Sequence, residues 1–252
     1  MPRDARNRSE SGIYHIMLRG INRQHIFEDD RDIERLLETI KKYREVSKFE
    51  IYAYCIMSNH IHMLIKEMDE SISDIIKRIS SSYVFWYNKK YERCGHLFQE
   101  RYKSEVVEDE EYFLTVLRYI HQNPLKARIV KNIAQYKWSS YREYIGEASI
   151  ISPDFALDIF SPDRNSSIEL FCNFNNQKNN DMCLEDDEKV RVSDVELKKL
   201  LLKLGVMDPK ELKNQDKSKR NEIIKKVKEV NGVTVRQLSR ITGLSKSQIS
   251  RI

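Results

Sequence analysis

The chain has 252 residues, 40% hydrophobic and 33% charged. That is enough for one sizeable core and a second small one, and too apolar for wholesale disorder. No apolar run approaches a membrane span and the first residues lack the apolar stretch of a secretory signal, so the expected setting is the cytoplasm, without a membrane partner. Cys55, Cys94, Cys172 and Cys183 have no zinc-type spacing and read as free thiols. The net charge is +5, but residues 216–252 hold ten Lys or Arg against three Asp or Glu, which leaves the remainder slightly acidic. Such asymmetry marks a segment suited to a polyanion.

In chain order, residues 13–19 read as a strand broken by Gly20. Asp29, Asp30 and Asp32 then open a helix whose apolar residues Ile33, Leu36, Leu37 and Ile40 recur at i, i+3, i+4 and i+7. Residues 51–57 and 61–66 form two β-rich runs joined by Ser58, Asn59 and His60, a connection short enough for a hairpin. A second helix starts from a Ser71 cap and runs to about Tyr91. A short strand at 102–107 precedes a third helix, which opens at Asp109, Glu110 and Glu111 and is expected to stop at Pro124. This β, α, β, β, α, β order predicts an α+β fold: a ferredoxin-like split βαβ antiparallel sheet with helices on one face and the other face open to a ligand.

Beyond Trp138 the pattern turns helical. Pro153, Pro162 and Pro209 each follow a capping residue, predicting three short helices. The Asn- and Asp-rich stretch 173–188 reads as a linker, and Ser193 with Glu196 forms a capping box ahead of Leu197, Leu200, Leu201 and Leu204, with Gly205 as the stop. The expected division is therefore 1–150, a helical extension and linker at 151–189, and an all-helical module at 190–252. Within that module, residues 233–252 read as helix, Gly turn, helix. Val235, Leu238, Ile241, Leu244 and Ile249 supply its core, Ser245 caps the second helix, and Lys246, Ser247, Gln248 and Arg251 face outward. This resembles a helix-turn-helix that lays its second helix in the major groove of duplex DNA.

His60 and His62 stand two apart on a strand, so both imidazoles leave the same face and can contribute half of a metal site, although a His-x-His pair is also met incidentally. On the third helix, Tyr119 and Asn123 at i, i+4 put a phenol and a carboxamide on one face, while Phe113, Leu117 and Ile120 mark the packing face. A metal that polarises a phosphate oxygen beside a tyrosine suits phosphoryl transfer, because a phenol with an ordinary pKa of about 10 needs activation before it attacks.

Four blocks carry a resemblance. They are the opening run from Tyr14-His15 through Leu18-Arg19-Gly20-Ile21-Asn22-Arg23-Gln24, then Ala53-Tyr54-Cys55-Ile56-Met57-Ser58-Asn59-His60-Ile61-His62-Met63-Leu64-Ile65, then Gly95-His96-Leu97-Phe98-Gln99-Glu100-Arg101-Tyr102-Lys103-Ser104, and finally Arg118-Tyr119-Ile120-His121-Gln122-Asn123-Pro124-Leu125-Lys126-Ala127. In this order they resemble single-tyrosine HUH transposases of the REP-associated kind, within the IS200-like group. The resemblance implies a divalent metal, Mg2+ or Mn2+, on His60, His62 and Asn123, and Tyr119 as the nucleophile that cuts single-stranded, hairpin-forming repeat DNA through a 5′-phosphotyrosine link. It also implies a monomer or a homodimer.

Arg19, Arg23, Arg101 and Lys103 are candidates for phosphate contact beside that site, and Arg236, Lys246, Gln248 and Arg251 for contact by the C-terminal module. His15 reads as a structural histidine. The competing expectation is a catalytically silent DNA-binding regulator on the same fold.

Overall fold

The computed structural model describes residues 7–99, 101–184, 192, 194–230 and 233–252. The chain divides into two compact units, Met1–Leu184 and Glu185–Ile252.

In the first unit β1 (Ile13–Arg19) leads to α1 (Asp30–Ser47), then β2 (Glu50–Met57), β3 (His60–Lys66), α2 (Ile72–Lys90), β4 (Lys103–Val106) and α3 (Glu110–Lys126). The four strands form one antiparallel sheet in the order β2-β3-β1-β4. Local chemistry sets the ends: Asp29 and Asp32 make a capping box on α1, and the Ser71 and Asp109 side chains accept from the third residues of α2 and α3. Only Ser58 and Asn59 separate β2 from β3, because His60 already belongs to the strand. Gly20 ends β1 where segments crowd: a Cβ there would collide with the Gln24 carbonyl oxygen and lie 2.8 Å from Ile26 Cγ2.

The helices α1 and α2 are the two crossovers of the split βαβ unit and lie side by side, joined by Lys90 Nζ at 2.6 Å from Asp32 Oδ1 and by the Tyr91 hydroxyl donating to the same carboxylate. The opposite face of the sheet is not open. β1, β2 and β3 are buried almost along their full lengths, the mark of a sheet covered on both sides, and α3 crosses β2 and β3 on the histidine-bearing face. It runs through Pro124 to Lys126, past the expected stop. The missing N–H costs the helix only one bond, the one to the Ile120 carbonyl. Ala127 N–H still bonds the Asn123 carbonyl and Ile129 N–H that of Pro124.

Residues 127–184 wrap this core with α4 (Tyr141–Ile145), α5 (Asp154–Phe160) and α6 (Arg164–Asn176). Pro153 is the N-cap of α5, whereas Pro162 lies outside α6, whose cap is Asp163. Of the stretch expected to be a linker, residues 173–184 instead complete α6 and then return to α3, and residues 185–188 lie outside the described ones. Asp181 holds Arg118 through two bonds at 2.7 and 3.0 Å, and the Gln122 amide donates to the carbonyls of Asn175 and Gln177. Composition suggests a linker here because Asn and Asp are polar, yet Asn175, Asn176, Asn179 and Asp181 are used in hydrogen bonds within the fold. The four cysteines are free.

The second unit is helical among its described residues: α7 (Asp194–Lys203), a 3-10 turn at Pro209–Lys213, α8 (Lys217–Lys228), α9 (Val235–Thr242) and α10 (Lys246–Arg251). Its core is wholly aliphatic, built on Leu197, Leu201, Leu212, Ile224, Val227, Leu238 and Ile249. Gly205 and Gly243 adopt positive φ at the ends of α7 and α9, the left-handed conformation that favours glycine. Ser245 and Gln248 form a capping box on α10. Ser193, the expected cap of α7, lies outside the described residues. No described helix is long and apolar enough to cross a membrane.

Candidate active site

Strand register assembles the site. Across the sheet His62 pairs with Met17 of β1 and Cys55 of β2, and His60 pairs with Arg19 and Met57. The period of two turns His60, His62 and, on β1, His15 toward α3. Their rings make a compact group: His60 to His62 is 5.1 Å between centroids with perpendicular planes, and His15 to His62 is 5.2 Å with planes tilted at 35°.

Tyr119 comes down onto this group from α3. Its ring centroid lies 5.6 Å from His62 and 5.8 Å from His15, both edge-on, and the residue is 8% exposed. Lys126, two turns along the helix, places Nζ 4.8 Å from the centre of the Tyr119 ring while donating to the Asp181 carbonyl. Asn123 remains helical ahead of Pro124. Its Nδ2 donates to the Tyr119 carbonyl at 3.3 Å, and its side chain reaches hydrogen-bonding contact with His60. The structure therefore brings His60, His62, Tyr119 and Asn123 into one neighbourhood.

The imidazoles are held neutral. Burial, and then the charge of Arg19, bring the His60 pKa down to about 4, with Asn123 opposing. Burial dominates at His62 too, supported by His15, His60 and Arg19, and its pKa lies well below the ordinary histidine value. Neutral imidazole is the form that binds a metal. His60 Nδ1 sits 2.7 Å from Asn59 Oδ1, whose amide nitrogen donates to the Arg23 carbonyl; the oxygen therefore faces the ring, a contact that favours the tautomer with its proton on Nδ1. In that tautomer Nε2 bears the lone pair of His60. Among the described residues no three His, Cys, Asp or Glu side chains are grouped to hold a metal ion, so a cation here needs the carboxamide of Asn123 as its third protein donor. Two neutral imidazoles and an amide oxygen are a donor set suited to Mg2+ or Mn2+ with water completing the shell.

The paired imidazoles, the carboxamide and the phenol thus stand on a split βαβ sheet and on the helix above it. Residues 9–123 fit the model of the family described as Transposase IS200 like.

A protein of Haemophilus influenzae (strain KW20 Rd), provisionally named a REP-associated tyrosine transposase, is 25% identical to this chain over 144 residues, which cover 50% of the chain and 81% of that relative. A solved REP-associated tyrosine transposase bound to a REP hairpin is similar over 61% of this chain and 96% of its own, at 17% identity and a TM-score of 0.49. A protein from Deinococcus radiodurans R1, provisionally named a transposase, covers 48% and 97% at 16% identity and a TM-score of 0.34.

Within the first unit, Arg19 lies close enough for its charge to act on both site histidines. Lys103 joins the row Cys55, His62, Met17, Lys103 that runs across the sheet, and Arg101 and Arg23 are exposed. In the second unit Arg236, Lys246, Gln248 and Arg251 are all exposed, with the Gln248 amide oxygen accepting from the Ser245 N–H.

Three contributors escape the sequence reading. Asn59 orients His60, Lys126 covers the Tyr119 ring, and Glu105 approaches His15. For Lys126 a signal exists, the i+7 spacing from Tyr119 along one helix face. Glu105 meets His15 only through cross-strand register.

Proposed function

We propose that the first unit is a metal-dependent tyrosine endonuclease and strand transferase that acts on single-stranded, hairpin-forming repeat DNA. The observation that carries the reading is the convergence of the Tyr119 phenol with the paired imidazoles of His60 and His62, at 5.6 Å between the Tyr119 and His62 rings. The REP hairpin bound to the solved transposase named above suggests the kind of DNA.

His60 and His62, with the Asn123 amide oxygen, would hold the divalent cation. When bound, it withdraws electron density from a phosphate oxygen and stabilises charge developing at phosphorus. Tyr119 is fixed by helix packing, so its oxygen approaches phosphorus in line without an orientational search. As the phenolic oxygen bonds to phosphorus its proton is released. The bond from phosphorus to the 3′-oxygen breaks and that oxygen takes up a proton, leaving a 3′-hydroxyl and a 5′-phosphotyrosine. One phosphodiester replaces another, so no nucleotide cofactor is needed. A 3′-hydroxyl of a second strand reverses the step and joins DNA. Arg19, Arg23, Arg101 and Lys103 position the phosphate backbone without reading bases. The exposed basic groups of α9 and α10 give the second unit a surface for duplex DNA.

Purified full-length protein with Mn2+ and a hairpin single strand is expected to give a protein–DNA adduct that survives a denaturing gel, and Tyr119→Phe is expected to give none. Adduct formed by Tyr119→Phe refutes the assignment of the nucleophile. Hairpin binding without adduct in the unaltered protein identifies a silent DNA-binding regulator instead.

A further inference from the structure

His15 is fully buried at the middle of β1, paired through Cα with Leu64 on one side and Glu105 on the other. Its two ring nitrogens face different groups: Nε2 lies 3.0 Å from His62 Nδ1, and Nδ1 lies 3.8 Å from Glu105 Oε2. The second distance exceeds a formed hydrogen bond, so the carboxylate acts there as a charge, and Nδ1 has no nearer partner. Glu105 is itself held in place, accepting from the Leu184 N–H at 2.9 Å and bonded by Tyr112.

Two neutral imidazoles that share one hydrogen bond have two arrangements. In the first, His15 donates from Nε2, its Nδ1 lone pair points at a carboxylate, and His62 carries its proton on Nε2, where it cannot bind a cation. In the second, His62 donates from Nδ1 and His15 turns an N–H toward Glu105. Only the second places a positive hydrogen end against the negative oxygen and avoids a buried lone pair facing like charge. It also leaves the Nε2 lone pair of His62 bare. Asn59 imposes the same choice on His60, so both imidazoles would present Nε2.

We propose that Glu105 and His15 are positioning residues which hold His62 in the tautomer that binds the cation. The role rests on the metal-site reading above, but it makes a claim about the metal-free protein that can be tested separately. Partners that orient ligating histidines typically change metal affinity about 10- to 100-fold when removed.

The test has two arms on the full-length protein. Long-range nitrogen–proton NMR of the 15N-labelled, metal-free chain is expected to show His62 protonated on Nδ1 and bare on Nε2. Mn2+ affinity, measured by electron paramagnetic resonance of the free ion, is expected to fall about 10- to 100-fold in His15→Leu and to stay within about threefold in His15→Gln, whose amide oxygen still accepts from His62 Nδ1 and whose NH2 still faces Glu105. Glu105→Gln, at a half-exposed site with little risk to folding, is expected to weaken Mn2+ less than His15→Leu does. A wild-type His62 protonated on Nε2, or His15→Leu and Glu105→Gln both binding Mn2+ as the wild type does, overturns the relay. Absence of any Mn2+ binding in the wild type refutes the metal site itself, and the NMR arm still decides the tautomer.

Discussion

The two units treat polar side chains in opposite ways. The first buries His15, Asp32, His62, His121, Gln122 and Asn175 and partners most of their polar atoms, as Lys90 does Asp32 and Asn175 does His121, while His15 Nδ1 faces Glu105 beyond hydrogen-bond distance. The second, among its described residues, buries one polar residue as a whole, Thr242, whose hydroxyl donates to the Leu238 carbonyl, adds single buried atoms of Gln215, Arg220 and Asn221, and exposes most of its charges. Buried polar groups are costly unless fully partnered, so a fold keeps them where chemistry or a unique arrangement requires it. An aliphatic core with basic helices outside needs only to present a surface. The contrast teaches that the polar interior of the first unit and the basic surface of the second are built on different physical principles, so the chemistry and the DNA attachment proposed for them should respond to different perturbations.

The largest effect is expected from the site. His60→Ala or His62→Ala removes a ligand worth several kcal/mol of transition-state stabilisation, so adduct formation should fall about 10³-fold or more, while duplex binding by the second unit is unchanged. A gel assay for adduct and a duplex titration read the two halves separately, and loss of duplex binding in either variant would break the division.

Acid should sharpen it. Burial lowers the pKa of His60 and of His121 to about 4, against about 6.5 for an unfolded histidine. Between these values the unfolded chain binds protons that the native unit refuses. Stability is therefore complete above about pH 6.5 and declines as pH falls toward 4, by up to about 1.4 kcal/mol per pH unit for each histidine. The second unit contains no histidine and should hold its stability from pH 6.5 to 5. Segment-resolved hydrogen exchange over that range is the measurement, and equal loss of protection in both units would contradict the expectation.

The smallest effect belongs to α10. Ser245→Ala removes the side chain that accepts from the Gln248 N–H, costing about 1 kcal/mol of local helix stability. Duplex affinity should fall by up to about tenfold, with adduct formation on a single-stranded hairpin unaltered. A changed adduct yield would mean that the second unit takes part in the chemistry.

Much of the first unit is legible in its sequence because the signals are local. Asp29 with Asp32, Ser71 and Asp109 announce their helices, and the parity of His60 and His62 places both rings on one face. Other features have no local signal. That α3 roofs the sheet depends on how it crosses β2 and β3, and its run through Pro124 depends on bonds made further along, from Ala127 and Ile129. Residues 177–184 have the composition of a tether, yet Asp181 and Leu184 are tied to Arg118 and Glu105, partners 63 and 79 positions away. His15 has the pattern of a packed core residue, and only cross-strand register shows what stands on either side of it.

The aliphatic core of the second unit also governs how the protein can be watched. Every Trp, Tyr and Phe in the chain precedes residue 185, so intrinsic fluorescence and near-ultraviolet absorbance are blind to everything after it. A melting curve followed by light emission would report one unit as though it were the whole, and the basic helices of the second unit could lose their structure without a trace in the signal.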